Sequence, residues 1–184
     1  MKRLFAVLLA SLFALTLVAC GGGSAPASDL TADQMAQAIV DSRPTEENEA
    51  YTIFTLSANG STAMAGASQQ LTQEQIDSQT QLSLSMLGLT AEDVQQAAFS
   101  VSLMNVKAYG VGVFSPAEGK TQQVKDALQE FVEAQQAAQQ NYLPDQYAIA
   151  KAAKVETLKN GLVVVVMCEN QDTVFAALDK ALNQ

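Results

Sequence analysis

The chain has 184 residues and a formal net charge of −9, with 19 acidic residues, 10 basic residues and no histidine. The lack of histidine excludes Ser–His–Asp and Cys–His catalysis. The acidic balance argues against nucleic-acid binding, which needs a basic patch.

Residues 1–19 have the pattern of a bacterial secretory signal peptide that ends in a lipobox. Lys2 and Arg3 precede an apolar run of about fifteen residues, which is shorter than the ~20 residues of a transmembrane helix and typical of a signal peptide. Ala19 is small, as a cleavage site requires, and Cys20 follows it directly. We predict cleavage between Ala19 and Cys20 and lipidation of Cys20, since two acyl chains anchor a protein stably. The alternative is a plain signal peptide or signal anchor with an incidental cysteine.

Cleavage would change the displayed protein in two ways. It would leave eight basic and nineteen acidic residues and a net charge of −11, so we expect the lipid to hold the protein at the outer face of the cytoplasmic membrane. Cys168 would be the remaining thiol, which excludes an internal disulfide and the common zinc and haem sites. We expect no metal and no cofactor. Residues 20–29 comprise the lipidated cysteine and a Gly/Ser-rich segment that is predicted to be a flexible tether.

Residues 30–184 are predicted to form a single α+β domain, with an N-terminal helical part (30–96) and a sheet-forming part (97–184). Capping-box patterns at Thr31–Gln34 and Thr72–Gln75 predict helices over 30–40 and 71–87. The remaining predictions for the helical part are a strand at 51–58, a turn at Asn59-Gly60-Ser61, a loop at 61–70 and a short helix that starts near Thr90 and Asp93.

The sheet-forming part shows a strand–strand–helix order twice. Its predicted elements are strands at 99–103 and 109–113, a helix at 117–141 with an exposed second half, strands at 153–158 and 162–168, and a helix from Asp172. Gly110 and Gly112 indicate close packing over the second strand. Four consecutive valines, Val163 to Val166, predict a central strand covered on both faces. The predicted fold is a mostly antiparallel four-stranded sheet with packed helices, preceded by N-terminal helices.

Several segments together resemble a family of Gram-positive, clostridial-type surface lipoproteins that carry a domain of unknown function. These segments are the lipobox, the Gly/Ser tether, MNVKAYGVGVF, VKDALQEFVEAQ, YLPDQY and the hairpin before the valine-rich strand. The resemblance covers roughly 71–184, and its most specific element is Tyr142–Tyr147. The family has no established activity, so the resemblance implies a location and a fold class but no catalytic residue.

The YLPDQY element is a candidate binding surface. Tyr142 and Tyr147 combine apolar area with a polar tip, and Pro144 restricts the backbone between them. The alternative is that both rings lock the long helix onto the sheet, and this structural role is the expected one.

Two other features have a functional and a structural interpretation. Cys168 lies in an apolar strand, which favours a small buried hydrophobe over a redox-active thiol. Glu46, Glu47 and Glu49 lack the spacing of a calcium loop, so a solvated acidic turn is favoured over a Ca²⁺ site.

The residues thus favour a lipid-anchored, non-enzymatic extracytoplasmic domain that binds an envelope protein or peptide. A solute-binding lipoprotein of a transport system is the second hypothesis, although such proteins usually clamp ligand between two domains. A carboxylate-dependent hydrolase is the third. An exposed apolar patch would favour the first hypothesis, and a deep pocket with perturbed carboxylates would favour the third.

Overall fold

The computed structural model describes residues 29–66, 70–104 and 106–183. The predictions for Ala19, Cys20 and the rest of residues 1–28 lie outside these ranges. In the described residues six helices and six strands follow in the order α1 (Ala32–Ser42), α2 (Thr45–Ala50), β1 (Ile53–Leu56), β2 (Thr62–Ala65), α3 (Gln73–Met86), β3 (Val94–Val101), β4 (Gly110–Pro116), α4 (Thr121–Gln139), α5 (Pro144–Lys151), β5 (Lys154–Thr157), β6 (Val163–Met167) and α6 (Gln171–Leu182).

The strands form one sheet in the order β2-β1-β3-β4-β6-β5, and every neighbouring pair is antiparallel. The predicted α+β class and the antiparallel pairing are confirmed. The prediction of four strands is wrong, because the N-terminal part (30–96) adds the β1–β2 hairpin to the sheet. The strand expected at 51–58 is present as β1, but the loop expected at 61–70 contains β2. The sequence of β2 is Thr-Ala-Met-Ala, which has little strand propensity of its own.

The strand–strand–helix order occurs three times in the described residues: β1-β2-α3, β3-β4-α4 and β5-β6-α6. The helices cover both faces of the sheet. One core cluster joins α1 and α6 to the sheet through Met35, Ile39, Val174 and Leu178. The other cluster joins α3, α4 and α5 to the opposite face. The domain therefore has three layers, with the sheet in the middle.

The strands β4 and β6 are covered by helices on both faces of the sheet, as the sequence predicts for the valine-rich strand. Val163 and Val165 belong to the core under α4, whereas Val164 and Val166 belong to the core under α1 and α6. On β4, a Cβ at Gly110 would lie only 2.9 Å from Cε1 of Phe131. The glycine is therefore required by the close approach of α4, which confirms the expected close packing.

Both predicted capping boxes are present. The Thr31 and Thr72 side chains accept hydrogen bonds from the backbone N–H groups of Gln34 and Gln75, and each glutamine side chain accepts in return from the capping residue. These reciprocal bonds satisfy N–H groups that have no partner within the helix.

The helix expected to start near Thr90 is instead a turn that leads directly into β3. The Asp93 carboxylate accepts from the Thr90 N–H (2.8 Å) and the Thr90 hydroxyl (2.7 Å), and it forms an ion pair with Lys120 (3.0 Å). These bonds lower the pKa of Asp93 to about 2. The Asp93 carboxylate thus stabilises the turn from Thr90 to Asp93, and no helix follows that turn.

Two further predictions are wrong in detail. Glu46, Glu47 and Glu49 lie on the short helix α2 rather than in a turn.

The second half of α4 is not wholly exposed, because Gln139 is fully buried in its last turn. The Gln139 amide nitrogen donates to the Gln135 side chain at 3.3 Å, whereas its buried Oε1 has no hydrogen-bond partner among the described residues.

Candidate functional site

The residues predicted as a binding surface lie where α4 passes into α5. Tyr142 lies between the helices and is 83% exposed, so its ring contributes little to packing. Pro144 is the first residue of α5, a position that tolerates its missing N–H. Tyr147 is half-buried, and Nζ of Lys151 lies 6.0 Å from the centre of its ring. The two tyrosines therefore do not act as a matched pair.

Gln146 is the residue that ties this element to the sheet. Its Oε1 accepts a hydrogen bond of 3.0 Å from the backbone N–H of Ala108, which is buried just before β4. Sequence reasoning missed this contact, because the partner is 38 residues away and a glutamine in a polar helix gives no signal of its own.

Three large apolar side chains are exposed in the loop between β3 and β4, which we call the apolar loop. They are Leu103, Met104 and Val106, with 47%, 59% and 57% of their surface exposed. Single exposed apolar residues are common, but three within four positions form a patch of the kind that marks interaction sites. The Ser102 N–H donates to the Tyr109 carbonyl at 3.1 Å, which closes the base of the loop.

The chain enters the domain at the opposite end of β3. The Gln96 side chain donates to the Leu30 carbonyl (2.7 Å) and accepts from the Ala32 N–H (3.1 Å). Gln96 lies near the start of β3, and Val101 ends the strand. At about 3.3 Å per residue, these two positions are ~17 Å apart along the strand. The apolar loop is therefore remote from the point where residues 1–28 join the domain.

A buried arginine lies beneath the apolar-loop end of the sheet. Arg43 follows α1 and is only 5% exposed. Its guanidinium donates to the Asn48 side chain (2.6 Å), the Ser100 hydroxyl (3.1 Å), the Tyr109 hydroxyl (2.6 Å) and the Tyr51 carbonyl (2.7 Å). These acceptors belong to different parts of the chain, so the guanidinium joins α1, α2 and the two central strands at one point.

The Arg43 cluster includes two stacked aromatic rings. The Tyr51 and Tyr109 rings lie 3.7 Å apart between centres and are inclined by 8°. Burial raises the pKa of both phenols. The Tyr109 hydroxyl is therefore held in its neutral form, in which its oxygen accepts from Arg43.

The Glu47 carboxylate interacts electrostatically with Arg43 and Tyr109 of this cluster. Burial raises the pKa of Glu47, the Tyr109 hydroxyl and the Arg43 charge lower it, and Glu169 raises it. Its Oε2 is buried and has no hydrogen-bond partner among the described residues. Burial likewise raises the pKa of the Cys168 thiol to about 12. Cys168 is thus a buried, protonated thiol, as its apolar strand predicts, and not an activated nucleophile.

The chemical scope of this cluster is narrow. Glu47, Tyr51, Tyr109, Gln146 and Glu169 line a cavity of about 180 Å³. This volume is below the ~300 Å³ of the smallest common ligand pockets. In the part of the chain that the structure describes, no group of three His, Cys, Asp or Glu side chains is arranged to hold a metal ion. The cluster is best explained as a polar brace beneath the apolar loop.

A larger cavity lies between the β1–β2 hairpin and α3, and we call it the α3 groove. Its volume is about 980 Å³, at the upper end of the range of small-molecule sites. Its walls combine apolar residues, among them Leu56, Leu84 and Leu89, with polar residues of α3. The sequence pattern does not indicate this groove, because it predicts a loop where β2 lies.

Comparison with known protein families identifies a domain in this chain. The model of the family described as domain of unknown function (DUF4358) matches residues 66–169, which is more than half of the chain. No curated protein and no solved structure matches the chain. The match begins at the end of β2 and runs through β6, so it includes the apolar loop and the YLPDQY element. The chain belongs to the DUF4358 family, whose domain has no assigned function.

Proposed function

We propose that the protein is a bacterial lipoprotein held at the outer face of the cytoplasmic membrane by a lipid on Cys20. The lipobox at Ala19–Cys20 and the preceding apolar segment support this anchor. None of the helices in the described part of the chain is both long enough and apolar enough to cross a bilayer. The tether over residues 21–28 would span ~15 Å on average, which places the domain just beyond the lipid headgroups.

The domain itself is a non-enzymatic binding module for an envelope protein or peptide. The observation that carries this proposal is the apolar loop, which exposes Leu103, Met104 and Val106 at the end of β3 remote from the chain entry. With the anchor attached ahead of Leu30, the loop lies away from the point of attachment. The Arg43 cluster and the Gln146–Ala108 hydrogen bond support the base of the loop, so it is presented on a rigid scaffold.

Crosslinking in intact cells tests the binding proposal. A photo-crosslinking amino acid is introduced at Val106, or at Glu130 as a control that is exposed on α4. We expect a discrete crosslinked product from position 106 only, and its loss when Leu103 and Met104 are both replaced by serine. Equal crosslinking from both positions, or no product from position 106, would contradict the proposal.

A second candidate function, a solute-binding lipoprotein of a transport system, is favoured by one observation. The α3 groove has the volume of a small-molecule site within this single domain. A carboxylate-dependent hydrolase has weaker support, because the perturbed Glu47 lines a cavity of only about 180 Å³.

A further inference from the structure

The α3 groove has a polar stripe that no role described above uses. Gln73, Asp77, Thr80 and Leu84 follow one another on α3 at spacings of four, three and four residues. Residues at these spacings lie on the same face of a helix, with neighbouring Cβ atoms about 5–6 Å apart. All four residues line the groove. Along this stripe the groove therefore offers a charged group, a hydroxyl and an apolar side chain in turn.

Asp77 is the charged residue of the groove. Its Oδ1 accepts hydrogen bonds from the Thr62 hydroxyl and from Nε2 of Gln73, the latter at 2.8 Å. These bonds lower the pKa of Asp77, so the carboxylate is ionised at neutral pH. Its Oδ2 has no hydrogen-bond partner among the described residues. No lysine or arginine is found among the described residues that line the groove, so its electrostatic preference is for a single positive charge.

Thr80 provides the hydroxyl, one turn further along the helix. The residue is 1% exposed, and its Oγ1 has no hydrogen-bond partner in the described part of the chain. Buried hydroxyls usually have a partner, so an unpartnered one that lines a groove is a candidate ligand contact. The hydroxyl both donates and accepts, and therefore suits a hydroxyl group on a ligand.

The apolar part of the groove is formed by leucines. Leu56, Leu84 and Leu89 are buried core residues behind the groove wall, whereas Leu82 is 52% exposed at the rim. Because the Leu82 side chain is exposed, an apolar ligand that packs on it would remove its apolar surface from water. Leu82 is thus placed to contact the apolar body of a ligand whose polar end lies at Asp77 and Thr80, with the buried leucines behind it.

We propose that the α3 groove binds a small organic monocation of the amino-alcohol class. Its ammonium group pairs with Oδ2 of Asp77, its hydroxyl bonds to Oγ1 of Thr80, and its apolar body packs on the leucines. The groove discriminates against amino acids, because it offers no cation to a ligand carboxylate. The site is independent of the anchor and of the apolar loop.

Binding of four matched probes tests the proposal. They are 2-aminooctan-1-ol, 2-aminooctanoic acid, octylamine and octan-1-ol, which share an alkyl chain and differ in the polar end. The protein is the chain of residues 20–184 with Cys20→Ser, which carries no lipid and contains every described element. Binding is followed through the methyl NMR signals of Leu82, Leu84 and Leu89. We expect 2-aminooctan-1-ol to bind at least about threefold more tightly than each of the other probes.

Three variants assign the contacts. Asp77→Asn should remove the preference for the two cationic probes over octan-1-ol. Thr80→Val should weaken 2-aminooctan-1-ol about threefold and leave octylamine unchanged. Glu74→Gln is the control, because Glu74 is an exposed acid in the first turn of the same helix that does not line the groove. It should leave all four affinities unchanged.

The proposal is overturned if 2-aminooctanoic acid, octylamine or octan-1-ol binds to the unsubstituted chain as tightly as 2-aminooctan-1-ol. It is also overturned if no probe shifts the leucine signals up to its solubility limit, or if Glu74→Gln has the same effect as Asp77→Asn. Thermal unfolding of each variant shows whether it is folded, and Asp77→Glu, which keeps the charge, should retain the preference for cations if the fold is intact.

Discussion

Nη1 of Arg43 lies 2.6 Å from the hydroxyl oxygen of Tyr109, in a buried contact between residues 66 positions apart in the chain. This bond joins the end of α1 to the start of β4. It lies at the end of the sheet from which the apolar loop projects, so the stability of the domain and the presentation of the loop depend on the same contact.

Replacement of Tyr109 by phenylalanine should destabilise the domain. The change keeps the ring that stacks on Tyr51 but removes an acceptor for the Arg43 charge. A hydrogen bond to a charged group contributes about 1.5–3 kcal/mol, and we expect the free energy of unfolding in urea to fall by that amount.

Tyr51→Phe is the matched control for this prediction. Tyr51 contributes its carbonyl and its ring to the cluster, and its hydroxyl makes no hydrogen bond within the described residues. The free energy of unfolding should change by less than about 0.5 kcal/mol. Equal losses in the two variants would mean that ring stacking, rather than the bond to Arg43, determines the effect.

Glu47 should make the stability depend on pH. Burial raises the pKa of Glu47 above its ordinary value of 4.5, so the folded state binds the proton more tightly than the unfolded state. Ionising Glu47 in the folded protein costs free energy. This cost is absent below pH 4.5 and appears as the pH rises through the pKa of Glu47 in the folded state. As the pH rises from 4.5 to 7, the unfolding free energy of Glu47→Gln should therefore increase relative to that of the unsubstituted chain.

The control for the pH experiment is Glu46→Gln on the same helix. Glu46 is exposed, so its replacement should not produce the same trend with pH. If the advantage of Glu47→Gln is constant or shrinks as the pH rises, attraction between Glu47 and Arg43 outweighs burial, and the interpretation of Glu47 is wrong.

The packing of α4 on β4 predicts a coupled pair of substitutions. Gly110→Ala would place a Cβ 2.9 Å from Cε1 of Phe131, and such overpacking costs about 1–3 kcal/mol. Phe131→Leu removes the ring and also destabilises the core. The stability loss of the double variant, measured by urea unfolding, should be smaller than the sum of the two single-variant losses by at least about 0.5 kcal/mol. Simple additivity would show that the contact does not govern the position of α4.

Replacement of Gln146 should destabilise the domain much more than replacement of Tyr142. Tyr142→Ala removes an 83% exposed ring, so we expect a change of less than about 0.5 kcal/mol. Gln146→Ala leaves the buried Ala108 N–H without its acceptor and should cost about 1–3 kcal/mol. Thermal unfolding measures both effects. A large loss of stability in Tyr142→Ala would instead support a structural role for that ring.

Local signals predicted much of this fold. The capping boxes at Thr31 and Thr72 depend on residues three positions away, and the run of valines in β6 is enough to predict that this strand is buried. Elements stabilised from a distance were missed. Thr62–Ala65 becomes a strand because β1 and α3 flank it, although its own residues have low strand propensity.

The candidate sites were less predictable than the fold, for the same physical reason. Arg43 follows a helix and precedes a proline, a context that suggests an exposed residue, but acceptors 57 and 66 residues away bury it. The exposure of Leu103 and Met104 depends on where β3 ends, because a continued strand would have buried one of them. The α3 groove requires the β1–β2 hairpin, of which the sequence pattern predicts only the first strand.

Mass spectrometry of the N-terminal peptide from the membrane fraction tests whether the domain is anchored through Cys20. We expect a mature N-terminus at Cys20 that carries a diacylglyceryl group, and release of the protein from the membrane fraction when Cys20 is replaced by alanine. An N-terminus at any other residue, or an unmodified Cys20 in membrane-bound protein, would rule out a lipid anchor on Cys20.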